Sequence, residues 1–80
     1  MYHVYILTCA DGTLYTGSTN DLVRRLREHN GAKSGARYTK MRRPVTLAYS
    51  ESLSSYADAR RREAALKRLT RAQKLSLCSL

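Results

Sequence analysis

Residues 15–22, Tyr-Thr-Gly-Ser-Thr-Asn-Asp-Leu, decide the fold, because a predicted strand ends and a predicted helix begins within this stretch. Tyr5 lies ten positions ahead of Tyr15, and Arg25 and His29 follow within the predicted helix. The junction therefore gathers two phenols, a guanidinium and an imidazole. These groups suit chemistry on a phosphodiester.

The chain opens with a predicted hairpin. Tyr2–Cys9 carries Tyr, Val, Ile and Leu on both alternating faces, which is typical of a central strand covered on both sides. Asp11-Gly12 marks a turn, and Leu14–Ser18 is predicted to be the second strand.

The length of the hairpin loop decides whether the two tyrosines share a face. A two-residue loop would place Tyr5 opposite Ser18 and Thr8 opposite Tyr15, so the phenols would lie on opposite faces of the sheet. A three-residue loop or a bulge shifts the register by one and brings them to one face. We predict the shifted register.

The first helix follows directly. Asn20 is predicted to cap it, with Asp21 in its first turn, and the helix runs to about Asn30 before Gly31 ends it.

On a helical wheel, Leu22, Val23 and Leu26 form an apolar arc. Arg25 and His29, one turn apart, border that arc. We therefore expect both side chains to lie beside the sheet and not in bulk water.

The second half of the chain contains one more strand and two helices. Pro44 precedes a third strand, Val45–Glu51. Ser55 with Asp58 predicts a capping box, which opens a helix over Tyr56–Arg68.

Thr70 with Gln73 predicts a second capping box and a last helix that ends near Ser79. The element order is strand, strand, helix, strand, helix, helix. We expect residues 1–80 to form one domain, because the chain is too short to close a second core.

A carboxylate lies on the apolar side of the second helix. Tyr56, Ala59, Glu63 and Leu66 fall in one stripe, so Glu63 needs a partner. An internal ion pair with Arg62, which lies near the stripe, is one interpretation.

The charge balance points to a polyanion. Fifteen Lys and Arg face six Asp and Glu, which gives a net charge of +9 and a pI near 10.2. Positions 24–43 hold eight of these cations and positions 60–74 hold seven, whereas the first twenty residues hold none. Nucleic acid is the expected partner, and a plainly solvated basic surface is the alternative.

The cysteines and the lack of long apolar runs indicate where in the cell the protein is expected. Cys9 and Cys78 lack a CxxC spacing and are expected to be reduced and buried. No apolar run is long enough to span a bilayer, and the N-terminus lacks a signal-peptide pattern. We expect a cytoplasmic protein without a membrane partner.

The common catalytic motifs, HExxH and the P-loop among them, are absent. Instead, the chain resembles the GIY-YIG nuclease superfamily, and in particular its small stand-alone YhbQ/YazA-like branch. The resemblance rests on five segments of the sequence: His3-Val4-Tyr5, Tyr15-Thr16-Gly17, residues 21–26 with His29, Arg37-Tyr38-Thr39, and residues 42–45 with Glu51.

This resemblance implies an α/β (α+β) sandwich around a three-stranded antiparallel sheet, and phosphodiester hydrolysis assisted by one divalent metal ion. It makes Tyr5 and Tyr15 the motif tyrosines, Arg25 the catalytic arginine and His29 the downstream histidine. It also makes Glu63 the metal ligand. Mg²⁺ is the expected ion and Mn²⁺ an alternative.

These roles are chemically coherent. Tyr5 would serve as general base only if Arg25 and the metal favoured its phenolate, because an unperturbed tyrosine has a pKa of about 10. Arg25 can make bidentate contacts to phosphate oxygens. Glu63 offers the oxygen ligand that Mg²⁺ prefers. Tyr15 or His29 could relay protons.

The sequence departs from the family pattern at two places. His3 replaces the glycine that names the motif, and no Asn follows Asn30, so Gln73 or Lys74 is considered as a substitute for the family's polar Asn.

The extra DNA-binding domains of dedicated family nucleases have no counterpart in this chain. Either its basic segments bind the substrate or a partner protein supplies the target. The predicted nucleic-acid contacts are Arg24, Lys33, Arg37, Lys40, Arg42 and Arg43.

The leading hypothesis is a metal-dependent endonuclease domain for DNA, with structured or damaged DNA as candidate substrates and RNA as the less favoured nucleic acid. The alternative is a non-catalytic nucleic-acid-binding module that keeps the fold.

Overall fold

A computed structural model of the protein describes residues 1–31 and 41–79. Its elements are β1 (Tyr2–Thr8), β2 (Leu14–Thr19), α1 (Leu22–Asn30), β3 (Thr46–Leu53), α2 (Tyr56–Lys67) and α3 (Arg71–Cys78). The strands form an antiparallel sheet in the order β2-β1-β3. This α+β architecture confirms the predicted fold class and element order.

The β1–β2 hairpin has a three-residue loop. The amide of Cys9 donates to the carbonyl of Thr13 over 2.9 Å, which leaves residues 10–12 as the loop. Gly12 has a φ of 85°, a conformation that glycine adopts without steric cost. A type I turn closed by such a glycine is a common three-residue hairpin.

This loop sets the predicted register. Tyr5 pairs with Gly17, and Leu7 pairs with Tyr15. Because side chains alternate along a strand, Tyr5 and Tyr15 lie on the same face of the sheet. The prediction of the shifted register is confirmed.

The cap of α1 differs from the prediction. Asp21 is the N-cap, and its Oδ1 accepts from the amide of Arg24 over 3.1 Å. Asn20 was the predicted cap and this was wrong, because both residues are good caps and only the carboxylate of Asp21 reaches the third amide of the helix. The Thr19 hydroxyl accepts from the amide of Asp21 over 3.1 Å, which fixes the entry.

Three residues fasten the end of α1 to the start of β3, and we call Asn30, Arg43 and Val45 the α1–β3 clasp. The Asn30 side chain accepts from the amide of Val45 over 2.7 Å and donates to its carbonyl over 2.9 Å. The Arg43 guanidinium donates to the carbonyls of His29 and Glu28 over 2.5 and 3.2 Å. These four hydrogen bonds tie the end of α1 to the start of β3.

The sheet has a core on each face. The α1 core contains buried Tyr5, Leu7, Cys9 and Val45, against which Tyr15, Leu22 and Leu26 pack. The α2–α3 core contains Val4, Ala59 and Leu66, against which Tyr2, Leu53, Leu69 and Leu77 pack. Val23 is predicted to lie in the apolar arc, but it is exposed, and only Leu22 and Leu26 of that arc pack against the core.

The remaining boundaries differ slightly from the prediction. β3 begins at Thr46 and not at Val45, α2 ends at Lys67 and α3 ends at Cys78. The capping box of Thr70 and Gln73 is present in full. Strand and helix ends of this kind are the least certain part of any assignment from sequence.

Both cysteines are free, as predicted, but only Cys9 is buried, whereas Cys78 is partly exposed. Among the described residues, no helix is both long and apolar enough to cross a membrane.

Candidate active site

Three predicted catalytic side chains meet in the α1 core. The Tyr5 hydroxyl lies 2.9 Å from Nε2 of His29, and the Arg25 guanidinium hydrogen-bonds to the same hydroxyl. Arg25 also pairs with Glu28, with 2.9 Å between Nη1 and Oε1. β1 supplies the phenol and α1 supplies the other two groups one turn apart, as the wheel predicted. We call Tyr5, Arg25 and His29 the phenol cluster.

Burial sets the protonation states in this cluster. Desolvation is the main cause that raises the pKa of Tyr5 to about 12, against a smaller opposing effect of Arg25. Desolvation likewise lowers the pKa of His29 to about 4, with the nearby charge of Arg25 acting in the same direction. At neutral pH the resting cluster therefore holds a protonated phenol and a neutral imidazole.

The hydrogen bonds follow from these states. Arg25 has only N–H donors, so it occupies a lone pair of the Tyr5 oxygen. Neutral His29 can then accept a hydrogen bond from the phenol at Nε2, with its own proton at Nδ1. In the resting protein the proton stays on the phenol, because the pKa of Tyr5 is about 12 and that of His29 is about 4.

Gly17 makes room for the cluster. A Cβ at this position would lie 2.6 Å from the Tyr5 hydroxyl and 3.2 Å from a ring carbon of Tyr15. The Tyr5 hydroxyl therefore rests directly on the backbone of β2. This close approach explains the glycine in the Tyr15-Thr16-Gly17 motif.

Tyr15 completes the group. Its ring meets the ring of His29 edge to face, with 5.2 Å between centroids. Unlike Tyr5, Tyr15 is only half-buried, as is Arg25. These two side chains are the members of the site that a solvent-borne substrate can reach.

Glu63 of α2 is held at the neighbouring position of β2. Its Oε1 accepts from the Ser18 hydroxyl over 2.5 Å, and its Oε2 lies 2.8 Å from Nζ of Lys67. These two hydrogen bonds lower its pKa against the opposing and largest effect of desolvation. The carboxylate is therefore ionised at neutral pH.

The proposed internal pair of Glu63 with Arg62 is wrong. Arg62 pairs with Glu51 of β3, with 2.5 Å between Nε and Oε1. Successive helix residues point about 100° apart, so Glu63 turns toward β2 while Arg62 turns toward β3. Gln73 lines a surface groove with Arg62 and not with Glu63.

The phenol cluster and Glu63 belong to opposite faces of the sheet. Tyr5 faces α1, whereas Ser18 pairs with Val4 and shares its α2–α3 face. β2 is an outer strand, so the two faces meet at its edge, beside Gly17 and Ser18. The negative charge of Glu63 is close enough to contribute to the raised pKa of Tyr5.

The donor set suits a hard divalent cation. Glu63 offers an ionised carboxylate beside a hydroxyl, and Mg²⁺ is commonly held by one or two carboxylates together with water and substrate oxygens. Within residues 1–31 and 41–79, no three His, Cys, Asp or Glu side chains are grouped to share an ion. An ion at Glu63 would therefore depend on substrate and water for its other ligands.

The predicted nucleic-acid contacts occupy different environments. Arg24 is largely exposed on α1, and Arg42 forms an ion pair with Asp11 over 3.0 Å. Arg43 directs its guanidinium to the end of α1. Lys33, Arg37 and Lys40 lie outside the described residues.

Two contacts of Glu63 were missed from sequence. Lys67 stands four residues after Glu63, a spacing that places opposite charges together on a helix, and this signal was available. Ser18 carries no comparable signal, because its contact depends on how α2 packs across β2.

Comparison with known proteins identifies the family of the chain. The profile of the GIY-YIG catalytic domain matches residues 1–76. A UPF0213 protein of Halobacterium salinarum is 54% identical over 96% of this chain and 99% of its own length. One from Syntrophus aciditrophicus is 52% identical, with coverage of 94% and 86%.

Solved structures show the same fold. The solution NMR structure of a UPF0213 protein from Bacillus halodurans superposes with a TM-score of 0.61 at 41% identity. The match covers 99% of this chain and 84% of that chain.

Proposed function

The chain belongs to the GIY-YIG family, whose nucleases act on nucleic acid, and on that premise we propose that it is a divalent-metal-dependent endonuclease that hydrolyses phosphodiester bonds of DNA. The observation that carries the proposal is the hydrogen-bonded phenol cluster packed on Gly17, next to the carboxylate held at Ser18. A binding module has no need for a buried phenol, a neutral imidazole and an ionised carboxylate around one strand edge.

The scissile phosphate would bind at the edge of β2. Arg25 is cationic and half-exposed, so it can pair with phosphate oxygens and stabilise charge that develops in the transition state. Tyr15, the accessible phenol, would contact the substrate beside it.

Tyr5 and His29 would manage the proton. In the resting protein Tyr5 holds its proton, so a base role requires the bound substrate and cation to favour the phenolate. His29 would receive that proton only once substrate and cation had also raised the pKa of its imidazole from about 4, so in the resting protein it serves as the hydrogen-bond acceptor of the phenol. Arg25 would stabilise the phenolate formed in this transfer.

Glu63 would hold the divalent cation, with Mg²⁺ as the first choice and Mn²⁺ as an alternative. When bound, such an ion supplies electrophilic stabilisation of the phosphate and of the leaving oxygen. The protein's own contribution is an ionised carboxylate that the Ser18 hydroxyl keeps aimed at the β2 edge.

The basic surface would bind the substrate backbone. The net charge of +9 gives long-range attraction for nucleic acid, and exposed Arg24 lies one position from Arg25 on α1. Lys33, Arg37, Lys40 and Arg42 are proposed to extend this track. A partner protein that directs the chain to its target fits with the small size of the domain.

Cleavage assays test the proposal. Purified protein is incubated with single-stranded DNA, branched DNA and RNA, with Mg²⁺, Mn²⁺ or EDTA. We expect metal-dependent cleavage of DNA that Arg25→Ala and Glu63→Gln each reduce by about 10²-fold or more.

Glu51→Gln is the matched control, because Glu51 is also a part-buried carboxylate on the α2–α3 face, where it pairs with Arg62. It should keep its activity. Absence of cleavage by the wild type, with retained salt-dependent binding, would leave the alternative of a non-catalytic nucleic-acid-binding module.

A further inference from the structure

Lys67 supplies the positive charge that pairs with the Glu63 carboxylate. It ends α2, one turn beyond Glu63, and its ammonium lies 2.8 Å from Oε2 of that carboxylate. The other oxygen, Oε1, accepts from the Ser18 hydroxyl. Each carboxylate oxygen thus already has a donor in the resting protein.

The two partners of the ion pair differ in exposure. The Glu63 side chain is 13% exposed, whereas the Lys67 side chain is 55% exposed. A carboxylate that is largely removed from water needs a compensating cation. The lysine carries that cation on a flexible stem that can return to solvent at low cost.

An ammonium and a metal ion compete for the same oxygen. Mg²⁺ binds carboxylate oxygen at about 2.1 Å, closer than the ammonium nitrogen lies now. The two positive charges also repel one another at such separations. A cation that binds Oε2 must therefore move Lys67 away, while the Ser18 hydroxyl can stay on Oε1.

We propose that Lys67 is a built-in competitor of the divalent cation at Glu63, so that binding of the ion requires the Glu63–Lys67 ion pair to open. This inference rests on the proposed function, because it takes Glu63 to be the metal ligand. Lys67 stabilises the metal-free protein and weakens its affinity for the ion. Metal binding is thereby favoured when substrate oxygens supply the further ligands.

Metal binding without any nucleic acid tests the competition. The affinity for Mn²⁺ is measured from the electron paramagnetic resonance signal of the free ion, at fixed ionic strength. Lys67→Met removes the ammonium and keeps the aliphatic stem. We expect Lys67→Met to bind Mn²⁺ about 3- to 10-fold more tightly than the wild type.

Arg60→Met is the matched control. Arg60 is exposed and lowers the pKa of Glu63 through its charge, but its guanidinium lies over the ring of Tyr56. Arg60→Met should change the Mn²⁺ affinity by less than about 2-fold, because it removes a charge without freeing an oxygen. Equal gains in the two variants would overturn the inference and reduce Lys67 to one charge among several.

Thermal unfolding gives a second measurement. In EDTA, Lys67→Met should unfold at a lower temperature than the wild type, because Glu63 loses its cation. Saturating Mn²⁺ should raise its unfolding temperature more than that of the wild type. Equal metal-induced shifts would contradict the competition.

Glu63→Gln separates this inference from the proposed function. If it abolishes Mn²⁺ binding while Lys67→Met leaves the affinity unchanged, the metal site stands and the role of Lys67 is overturned. If Mn²⁺ binding survives Glu63→Gln, the proposed metal site itself is wrong, and the inference with it.

Discussion

The two faces of β1 serve different purposes within one seven-residue strand. Toward α2 and α3, Val4 packs with Ala59 and Leu66, all apolar and fully buried. Toward α1, the strand buries Tyr5 beside His29, with a hydrogen bond between them. The α2–α3 face is stabilised by removing apolar surface from water. The α1 face, in contrast, also buries hydrogen-bonded polar groups.

The difference shows how an 80-residue domain accommodates a site. Burial of a phenol and an imidazole costs free energy unless their polar atoms are paired, and here each partly satisfies the other. The α1 core still buries the apolar side chains of Leu7, Cys9 and Val45 beside this polar pair.

The largest effect should come from the apolar face. Leu66→Ala removes a fully buried side chain from the α2–α3 core and should lower the free energy of unfolding by about 2–5 kcal/mol. Urea unfolding measures this loss. Leu75→Ala, at a leucine that is 41% exposed, is the control and should cost much less. Similar losses in both would show that burial of Leu66 in the α2–α3 core is not what stabilises the fold at this position.

The buried His29 on the α1 face should make the stability of the protein depend on pH. The pKa of His29 is about 4 in the folded protein and about 6.5 in the unfolded chain, so the unfolded state binds the proton first as pH falls. Stability should therefore decrease between pH 6.5 and 4, by about 3 kcal/mol from this residue. His29→Gln should flatten the curve in that window. Parallel curves for both proteins would contradict the assignment.

The close packing of Tyr5 on β2 can be disrupted at Gly17. Gly17→Ala places a methyl group against the Tyr5 hydroxyl, so the ring must shift and lose its bond to His29. We expect a loss of about 1–3 kcal/mol in unfolding free energy, together with reduced nuclease activity.

Gly31→Ala is its control, because the nearest atom to the added Cβ is a carbonyl oxygen 3.9 Å away. Retention of full activity in Gly17→Ala would show that the close packing of Tyr5 on β2 does not matter for catalysis.

The smallest expected effects on stability separate the roles of two arginines, Arg43 of the α1–β3 clasp and Arg24 of α1. Arg43→Gln loses two hydrogen bonds to helix carbonyls and should cost about 1 kcal/mol of stability. Arg24→Gln, at an exposed ion pair with 4.0 Å between its atoms, should leave stability almost unchanged. It should instead reduce the salt dependence of DNA binding by about one ion. A reversed pattern would exchange their roles.

The sequence predicted the elements and one decisive register. Asp11-Gly12 marked the turn but allowed two registers, and we predicted the shifted one, which brings both phenols to one face and which the structure confirms. The spacing of Arg25 and His29 on α1 was sufficient to bring them to Tyr5, because helix periodicity is a local property.

Of the two partners of Glu63, Lys67 carried the signal of a four-residue spacing, whereas Ser18 could not be predicted in the same way. Helical periodicity showed that this carboxylate faces inward, but the choice between β2 and β3 depends on the angle at which α2 crosses the sheet. The protonation states of Tyr5 and His29 likewise follow from burial, which is a property of the packed molecule.

The α1–β3 clasp fixes the points at which the connection between α1 and β3 begins and ends. Asn30 and Arg43 fix the end of α1 through bonds to Val45 and to helix carbonyls, and none of these bonds uses a residue of the intervening stretch. Doubling the length of a connection costs only about 0.6 kcal/mol of closure entropy. We therefore expect a longer connection between Asn30 and Arg43 to cost little closure entropy.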